Sequence, residues 1–381
     1  MFGGVGGFRL GLERANTTDW EHLPERACGW RSIRQEMDKS YIKSKGGSAK
    51  NIFECVGYAE IDKYAVKCYN QNFGESHEPT DVATIDWSRQ PDFDLLCAGF
   101  PCQPFSVAGK RMGFEDTRGT LFFEIARCVG EKRPRFLLLE NVKGLLSHDK
   151  GKTFATILAT LDELGYDAEW QVLNSKDFGV PQNRERVFIF GWRRDENIGG
   201  VFPIFPRGER VVLADVLEKE VDEKYYLKPE AVERLVGKMH SQDTSYAIDA
   251  NYHKGVGSNL DKKRRQVVVV ADRYRMLAGG WSKSSRRWGV EARFTEGMAN
   301  TINTGTGGGN QSTLNIVVAP GNAPRIRRLT PTETERLQGF PDGWTAMLSD
   351  TRRYKAMGNA VTVNVIEAIG RGILRIMEDA K

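Results

Sequence analysis

The 381-residue chain has little of what marks the special classes of protein. Its six cysteines (Cys28, Cys55, Cys68, Cys97, Cys102 and Cys128) are scattered, with no Cys-x-x-Cys pair. That spacing argues against a disulfide scaffold and a structural zinc site, and predicts reduced thiols and no bound metal. No apolar run approaches the ~20 residues a bilayer requires, and the N-terminus carries neither the basic nor the apolar block of a secretion signal. A cytoplasmic protein without membrane contact is expected. A large excess of either charge is lacking too: the net charge of +5 permits a polyanionic partner without demanding one. With 40% apolar and 28% charged residues, the chain is globular and long enough for two domains.

A strand before the first glycine-rich loop is also lacking. The chain opens Met1-Phe2-Gly3-Gly4-Val5-Gly6-Gly7 and runs into a helical pattern from Phe8. Such a turn at a helix start lets a ligand approach the backbone, although a flexible terminus would read the same. The expected cause of the missing strand is a start assigned too far downstream. Residues 14–50 are polar, with the low-complexity patch Lys43 to Ser48, and read as an exposed insertion.

From Phe53 the pattern becomes regular. Strands are predicted at Phe53–Ala59, weakly before Asp81-Val82, at Asp94–Ala98, Phe136–Leu139, Ala168–Val172 and Val187–Gly191, alternating with helices. This alternation specifies a doubly wound, Rossmann-like, mostly parallel sheet. Acidic residues end two of the runs: Glu60, where nucleotide-binding α/β folds hold ribose hydroxyls, and Glu140 after Phe136–Leu139. Between them Pro101 and Pro104 stiffen the turn that carries Cys102. A cysteine in apolar context is more often inert packing than a nucleophile, so Cys102 needs partners. Glu140, Arg184 and Arg186 supply them if they converge at one sheet edge, because arginines two apart on a strand share a face.

Beyond Arg193 the regularity stops. Gly, Asn, Ser and Thr dominate, with short valine runs at 266–270 and 314–318, which suits a small, loop-rich β domain. Two pieces, 247–255 and 299–308, look like a degenerate duplication. Between them stand Lys262, Lys263, Arg264, Arg265, Arg286 and Arg287, interleaved with Tyr274, Trp281 and Trp288. A basic run is usually a solvated face, but this density with aromatics suits phosphate and base-edge contacts. Near the end, Thr330-Pro331 with Glu333 carries every signal of a capped helix start.

These residues, in this order, resemble the DNA (cytosine-5)-methyltransferase family of prokaryotic or phage type over nearly the whole chain. The loop Phe2 to Gly7, Glu60, Asp81, Pro101-Cys102, Glu140-Asn141-Val142, Gln182 to Arg186, Arg328 to Pro341 and Gly358 to Val361 all match its motifs. The resemblance implies a methyltransferase fold made of 1–193 and 350–381, with 194–349 as a β-rich target-recognition domain. It implies S-adenosylmethionine against Phe2, Gly4, Gly7, Glu60, Ile61, Asp81, Val82, Pro101, Leu121, Asn359 and Val361. It makes Cys102 the nucleophile, with Glu140, Arg184 and Arg186 at the ring of a flipped cytosine. Ser106 and Thr301 would contact duplex DNA, beside the basic residues 263–265 and 286–287. The implied enzyme is a monomer, with a cognate restriction endonuclease as a functional, not necessarily physical, partner.

Two alternatives stand beside this reading: an RNA-modifying, transfer-RNA-type relative with the same fold and chemistry, and a DNA-binding relative without activity because its cofactor-loop strand is absent. A nicotinamide oxidoreductase is a poor third, since it needs neither Pro-Cys nor the basic tract.

Overall fold

The computed structural model describes residues 1, 3–16, 53–101, 121–196, 211–228, 245–246, 267–270 and 325–379. Phe2, most of the insertion at 14–50, the loop from Cys102 through Ser106 to residue 120, the basic tract, both pieces of the suspected duplication and Thr301 lie outside the described residues.

Four strands form the central sheet: β1 (Leu95–Gly99), β2 (Phe136–Val142), β3 (Tyr166–Asn174) and, after the two-residue β4 (Gln182–Asn183), β5 (Glu185–Arg193). Their spatial order is β1-β2-β5-β3. β1 and β2 are parallel, while β5 runs antiparallel to both β2 and β3. Three of the four strands therefore point one way, and β5 is the reversed member. The continuous apolar runs in β1 and β2 are what a strand covered on both faces requires.

Alternate side chains of β2 serve opposite layers. Leu137 and Leu139, with Leu96, Ala98, Val187 and Ile189, pack on helices α3 (Leu121–Lys132) and α4 (Lys152–Glu163) through Phe122, Ile125, Val129, Ile157 and Leu161. Phe136 and Leu138, with Phe188, Phe190 and Trp192, face the opposite layer, formed by α1 (Gly7–Ala15) and α8 (Val363–Asp379) through Phe8, Leu12, Val365, Ile366, Ile369 and Ile373. Truncating any one of these large side chains to alanine costs about 2–5 kcal/mol. The doubly wound expectation is met, with the chain's last helix closing the layer opened by its first.

Two predicted strands take another form. Residues 53–60 form no regular element and join no ladder among the described residues. They are tied instead by single bonds, Gly3 N to Ala59 O at 3.1 Å and Thr80 N to Glu60 O at 2.8 Å. The chain before Asp81 is likewise not a strand, and Asp81 caps the short 3₁₀ turn Val82–Thr84. Met1 donates its amino group to Cys97 O of β1 at 2.8 Å, so Met1 bonds to β1 while Gly3 bonds to the segment 53–60.

The C-terminal part docks on this body. Helix α2 (Lys63–Phe73) is capped by Asp62 and ended by the left-handed Gly74. Two further elements are α5 (Leu213–Val216) and the strand β6 (Ser245–Tyr246), which pairs with β4. The valine run appears as β7 (Val267–Val270), antiparallel to β8 (Arg325–Arg328). Helix α6 (Pro331–Leu337) opens with the predicted capping box: Thr330 N donates to Glu333 Oε2 at 2.8 Å, and Glu333 N to Thr330 Oγ1 at 3.2 Å. The buried Arg327 guanidinium grips the same carboxylate at 2.6 and 2.7 Å. Phe340 and Trp344 pack on Val5, Cys68 and Met357, and Trp344 donates to Val5 O at 2.9 Å. Residues 340–344 therefore sit against α2 and helix α7 (Asp350–Asn359).

Candidate active site

The parallel pairing of β1 with β2 sets Gly99 opposite Glu140, so both strands end at one edge. A Cβ at Gly99 would lie 3.3 Å from Glu140 Oε2, and glycine there leaves room for the carboxylate. Pro101 follows two residues later and is exposed; Cys102, next in the chain, lies outside the described residues. On β5, Arg186 is diagonal to Glu140 across the ladder, in which Glu140 pairs with Phe188. Its Nε is 3.0 Å from Glu140 Oε1, with the two side chains 15% and 14% exposed. Burial pulls the Arg186 pKa down while the Glu140 charge acts the other way. The pair is sheltered yet reachable, as a group that must hold a ligand needs to be.

Asn141 had no role in the sequence reading beyond its motif. It is 2% exposed, and its Nδ2 donates to Phe100 O at 2.8 Å while Oδ1 accepts from Val142 N. Asn141 thus braces the backbone directly before Pro101-Cys102. A polar residue inside an apolar strand end is the signal that could have found it, because a buried amide must be hydrogen-bonded.

Arg184 lies near enough to Glu140 and Arg186 for both charges to act on it, and its side chain also reaches away from the strand edge. It stands between β4 and β5, where the strand alternation is interrupted, and its Nη2 donates to Gly358 O at 3.1 Å and Ala360 O at 3.0 Å. Burial and the like charge of Arg186 pull its pKa down to about 9, so it stays charged at neutral pH.

The second half of the site surrounds the glycine loop. Gly4 N donates to Glu60 Oε2 at 2.9 Å, and Tyr58 Oη donates to Gly4 O at 2.7 Å. Glu60 Oε1 accepts from Ile61 N and Asp62 N, and Lys355 of α7 reaches Asp62 at 2.6 Å. Burial alone would raise the Asp62 pKa, but the Lys355 and Tyr64 bonds hold it below its ordinary value. The bond from Thr80 N to Glu60 O brings Asp81 alongside, with Val82 buried behind it. Ile61 is 64% exposed, a large apolar side chain open to solvent.

Two glycines differ in cause. Gly4 has φ +53° and no atom within 4 Å of the place a Cβ would take, whereas a Cβ at Gly7 would meet Val361 Cγ1 at 2.8 Å and Val361 O at 2.9 Å. Gly4 faces open space; Gly7 lets α1 lie against Val361. A left-handed glycine beside open space, two acidic side chains and an exposed apolar one fits an adenosyl group with ribose hydroxyls. Asn359 is exposed at the end of α7, while Leu121 and Pro101 flank the undescribed loop. Among the described residues there is no cluster of three or more His, Cys, Asp or Glu side chains suited to a metal, and no helix long and apolar enough to cross a membrane.

Residues 1–375 match the model of the family described as C-5 cytosine-specific DNA methylase. The chain is 38% identical over 327 residues to the type II methyltransferase M.HpaII of Haemophilus parainfluenzae, covering 84% of this chain and 83% of that relative. It is 35% identical over 384 residues to the type II methyltransferase M1.ScrFI of Lactococcus lactis subsp. cremoris, covering 100% and 78%. A solved structure of a DNMT2 variant from Spodoptera frugiperda overlays with a TM-score of 0.57 at 16% identity, covering 99% of this chain and 98% of that one, a likeness of fold. The match along almost the whole chain decides between the DNA and RNA readings, and with it the chain belongs to the C-5 cytosine-specific DNA methylases, enzymes that draw their methyl group from S-adenosylmethionine.

Proposed function

We propose that the chain methylates carbon 5 of a cytosine flipped out of a specific duplex DNA sequence, through a covalent adduct on Cys102. The observation that carries this reading is the Glu140–Arg186 pair, 3.0 Å apart at the strand edge that leads through Phe100-Pro101 to Cys102. A cytosine inside a stacked duplex cannot reach such an edge, so it must leave the stack.

Carbon 5 of cytosine is a poor nucleophile. Addition of the Cys102 thiolate to carbon 6 gives the ring an enamine character that makes carbon 5 nucleophilic. Glu140 holds a proton at ring nitrogen 3 and Arg186 holds the carbonyl oxygen, so that no full negative charge develops on the ring. Once carbon 5 carries the methyl group, loss of its proton restores the double bond and expels the Cys102 sulfur. S-adenosylmethionine, when bound, supplies an electrophilic methyl on sulfonium; Gly4, Glu60, Ile61, Asp81, Val82, Asn359 and Val361 are the residues that would hold it, with Phe2, Gly7, Pro101 and Leu121 around them. The loop with Ser106, the basic residues Lys263, Arg264, Arg265, Arg286 and Arg287, and Thr301 are assigned to DNA, in a recognition domain spanning 194–349 against a catalytic part of 1–193 and 350–381.

The names of the type II relatives support a restriction–modification setting. There the enzyme acts as a monomer in the cytoplasm, and its methyl marks shield sites from a cognate endonuclease that need not bind it. The test is transfer of labelled methyl from the cofactor to unmethylated duplex DNA and, in parallel, to transfer RNA, with bisulfite sequencing of the DNA. Label on a recurring cytosine context in DNA is expected; label confined to RNA would overturn the assignment.

A further inference from the structure

Arg184 is 4% exposed, and its Nη2 bridges two carbonyls, those of Gly358 and Ala360, at 3.1 and 3.0 Å. These carbonyls belong to the end of α7, where the final turn leaves acceptors without helical donors and the helix dipole presents its negative pole. A buried cation there satisfies both needs. Gln338, just past the end of α6, grips the same turn: its Nε2 donates to Met357 O at 2.7 Å, and its Oε1 accepts from Thr362 Oγ1 at 2.8 Å. Ser175 closes the ring, with Oγ 2.8 Å from Thr362 Oγ1 and N donating to Arg184 O at 3.1 Å. Asn359 alone of this turn faces solvent, between two clamped carbonyls, and Val361, two residues on, packs on Gly7 of the glycine loop.

We infer that Arg184 is a positioning residue for the cofactor rather than a contact of the cytosine ring, and that it links the two halves of the site. Along the chain only Glu185 separates it from Arg186, so the strand entry that sets the Glu140 partner also fixes the turn carrying Asn359 and Val361. This rests on the reading of Asn359 and Val361 as part of the cofactor wall. Occupancy of one half then biases the other, and by linkage the bias is equal in both directions.

The test uses the full chain and S-adenosylhomocysteine, which binds without turnover. Arg184→Met should weaken its binding about tenfold. Arg184→Lys keeps the charge and one nitrogen near the carbonyls, and should recover part of that loss. Both should raise the KM for S-adenosylmethionine more than they lower kcat, while Arg186→Lys should lower kcat at unchanged cofactor affinity. Unchanged affinity in Arg184→Met, or a kcat defect alone in Arg184→Lys, would overturn the inference.

Should Arg184→Met not fold, the unaltered protein decides. Addition of unmethylated duplex DNA without cofactor should slow hydrogen exchange at residues 358–363, and unchanged exchange there refutes the link. If instead S-adenosylhomocysteine binds yet leaves exchange at 358–363 untouched, the cofactor-wall reading fails, and the inference with it.

Discussion

Replacing Gly4 or Gly7 by alanine adds one methyl group to the same loop, yet the two changes should fail differently. At Gly4 the backbone has φ +53° with nothing within 4 Å of the new carbon. The cost is the left-handed conformation, about 1 kcal/mol for an L-residue, and the methyl projects into the space assigned to the cofactor. At Gly7 the new carbon would lie 2.9 Å from Val361 O, a backbone atom that cannot swing aside. That overpacking costs about 1–3 kcal/mol and forces α1 away from Val361.

Urea unfolding with and without S-adenosylhomocysteine separates the two. At about 100 times the dissociation constant a ligand adds roughly 2.7 kcal/mol, and a tenfold weaker ligand at the same concentration adds about 1.4 kcal/mol. Gly4→Ala should lose about half of the ligand increment with a small loss of basal stability; Gly7→Ala should lose mainly basal stability. A full increment in Gly4→Ala would refute the placement of the cofactor over Gly4.

Asn141→Leu removes the brace on Phe100 O and should lower kcat up to about 100-fold with cofactor affinity unchanged; steady-state kinetics on unmethylated DNA measure it. Glu333→Gln leaves the buried Arg327 charge uncompensated and should cost about 3–5 kcal/mol in urea unfolding, against a typical margin of about 5–15 kcal/mol. The Asp62–Lys355 pair is partly exposed, 28% and 39%, so its contribution is discounted to about 0.5 kcal/mol. Since the folded Asp62 pKa lies below its ordinary 3.8, that contribution is complete well above 3.8 and is lost as the pH falls through the folded value. Lys355→Met should therefore destabilise the protein at pH 7 and converge with the parent in acid.

Runs such as Phe136–Leu139 were legible because a strand covered on both faces must be apolar throughout, and the Thr330 helix start because each capping residue has its own partner. Phe53–Ala59 has the same composition as a strand, but a ladder needs a neighbour, and among the described residues its tie to the N-terminus is Gly3 N to Ala59 O. Two-residue alternation puts Arg184 near Arg186, whose charge it feels, but the break between β4 and β5 also lets its Nη2 reach Gly358 O and Ala360 O, which no strand pattern announces. Asn141 was quoted as part of a motif, but its partner Phe100 O is a backbone atom on another strand end, which no side-chain pattern announces. The catalytic reading of Cys102 rests on its prolines and on the family resemblance, and Cys102 itself lies outside the described residues, which hold only Glu140 and Arg186 at the strand ends.

Covalent trapping tests the central claim most directly. With fluorine in place of hydrogen at carbon 5 of cytosine, the final proton loss is blocked and the enzyme should remain attached to DNA in the presence of S-adenosylmethionine. Digestion and mass spectrometry should locate the adduct on Cys102, and Cys102→Ser should form none while still binding the unmodified duplex. An adduct on another residue, or methyl transfer by Cys102→Ser at the parent rate, would contradict the account.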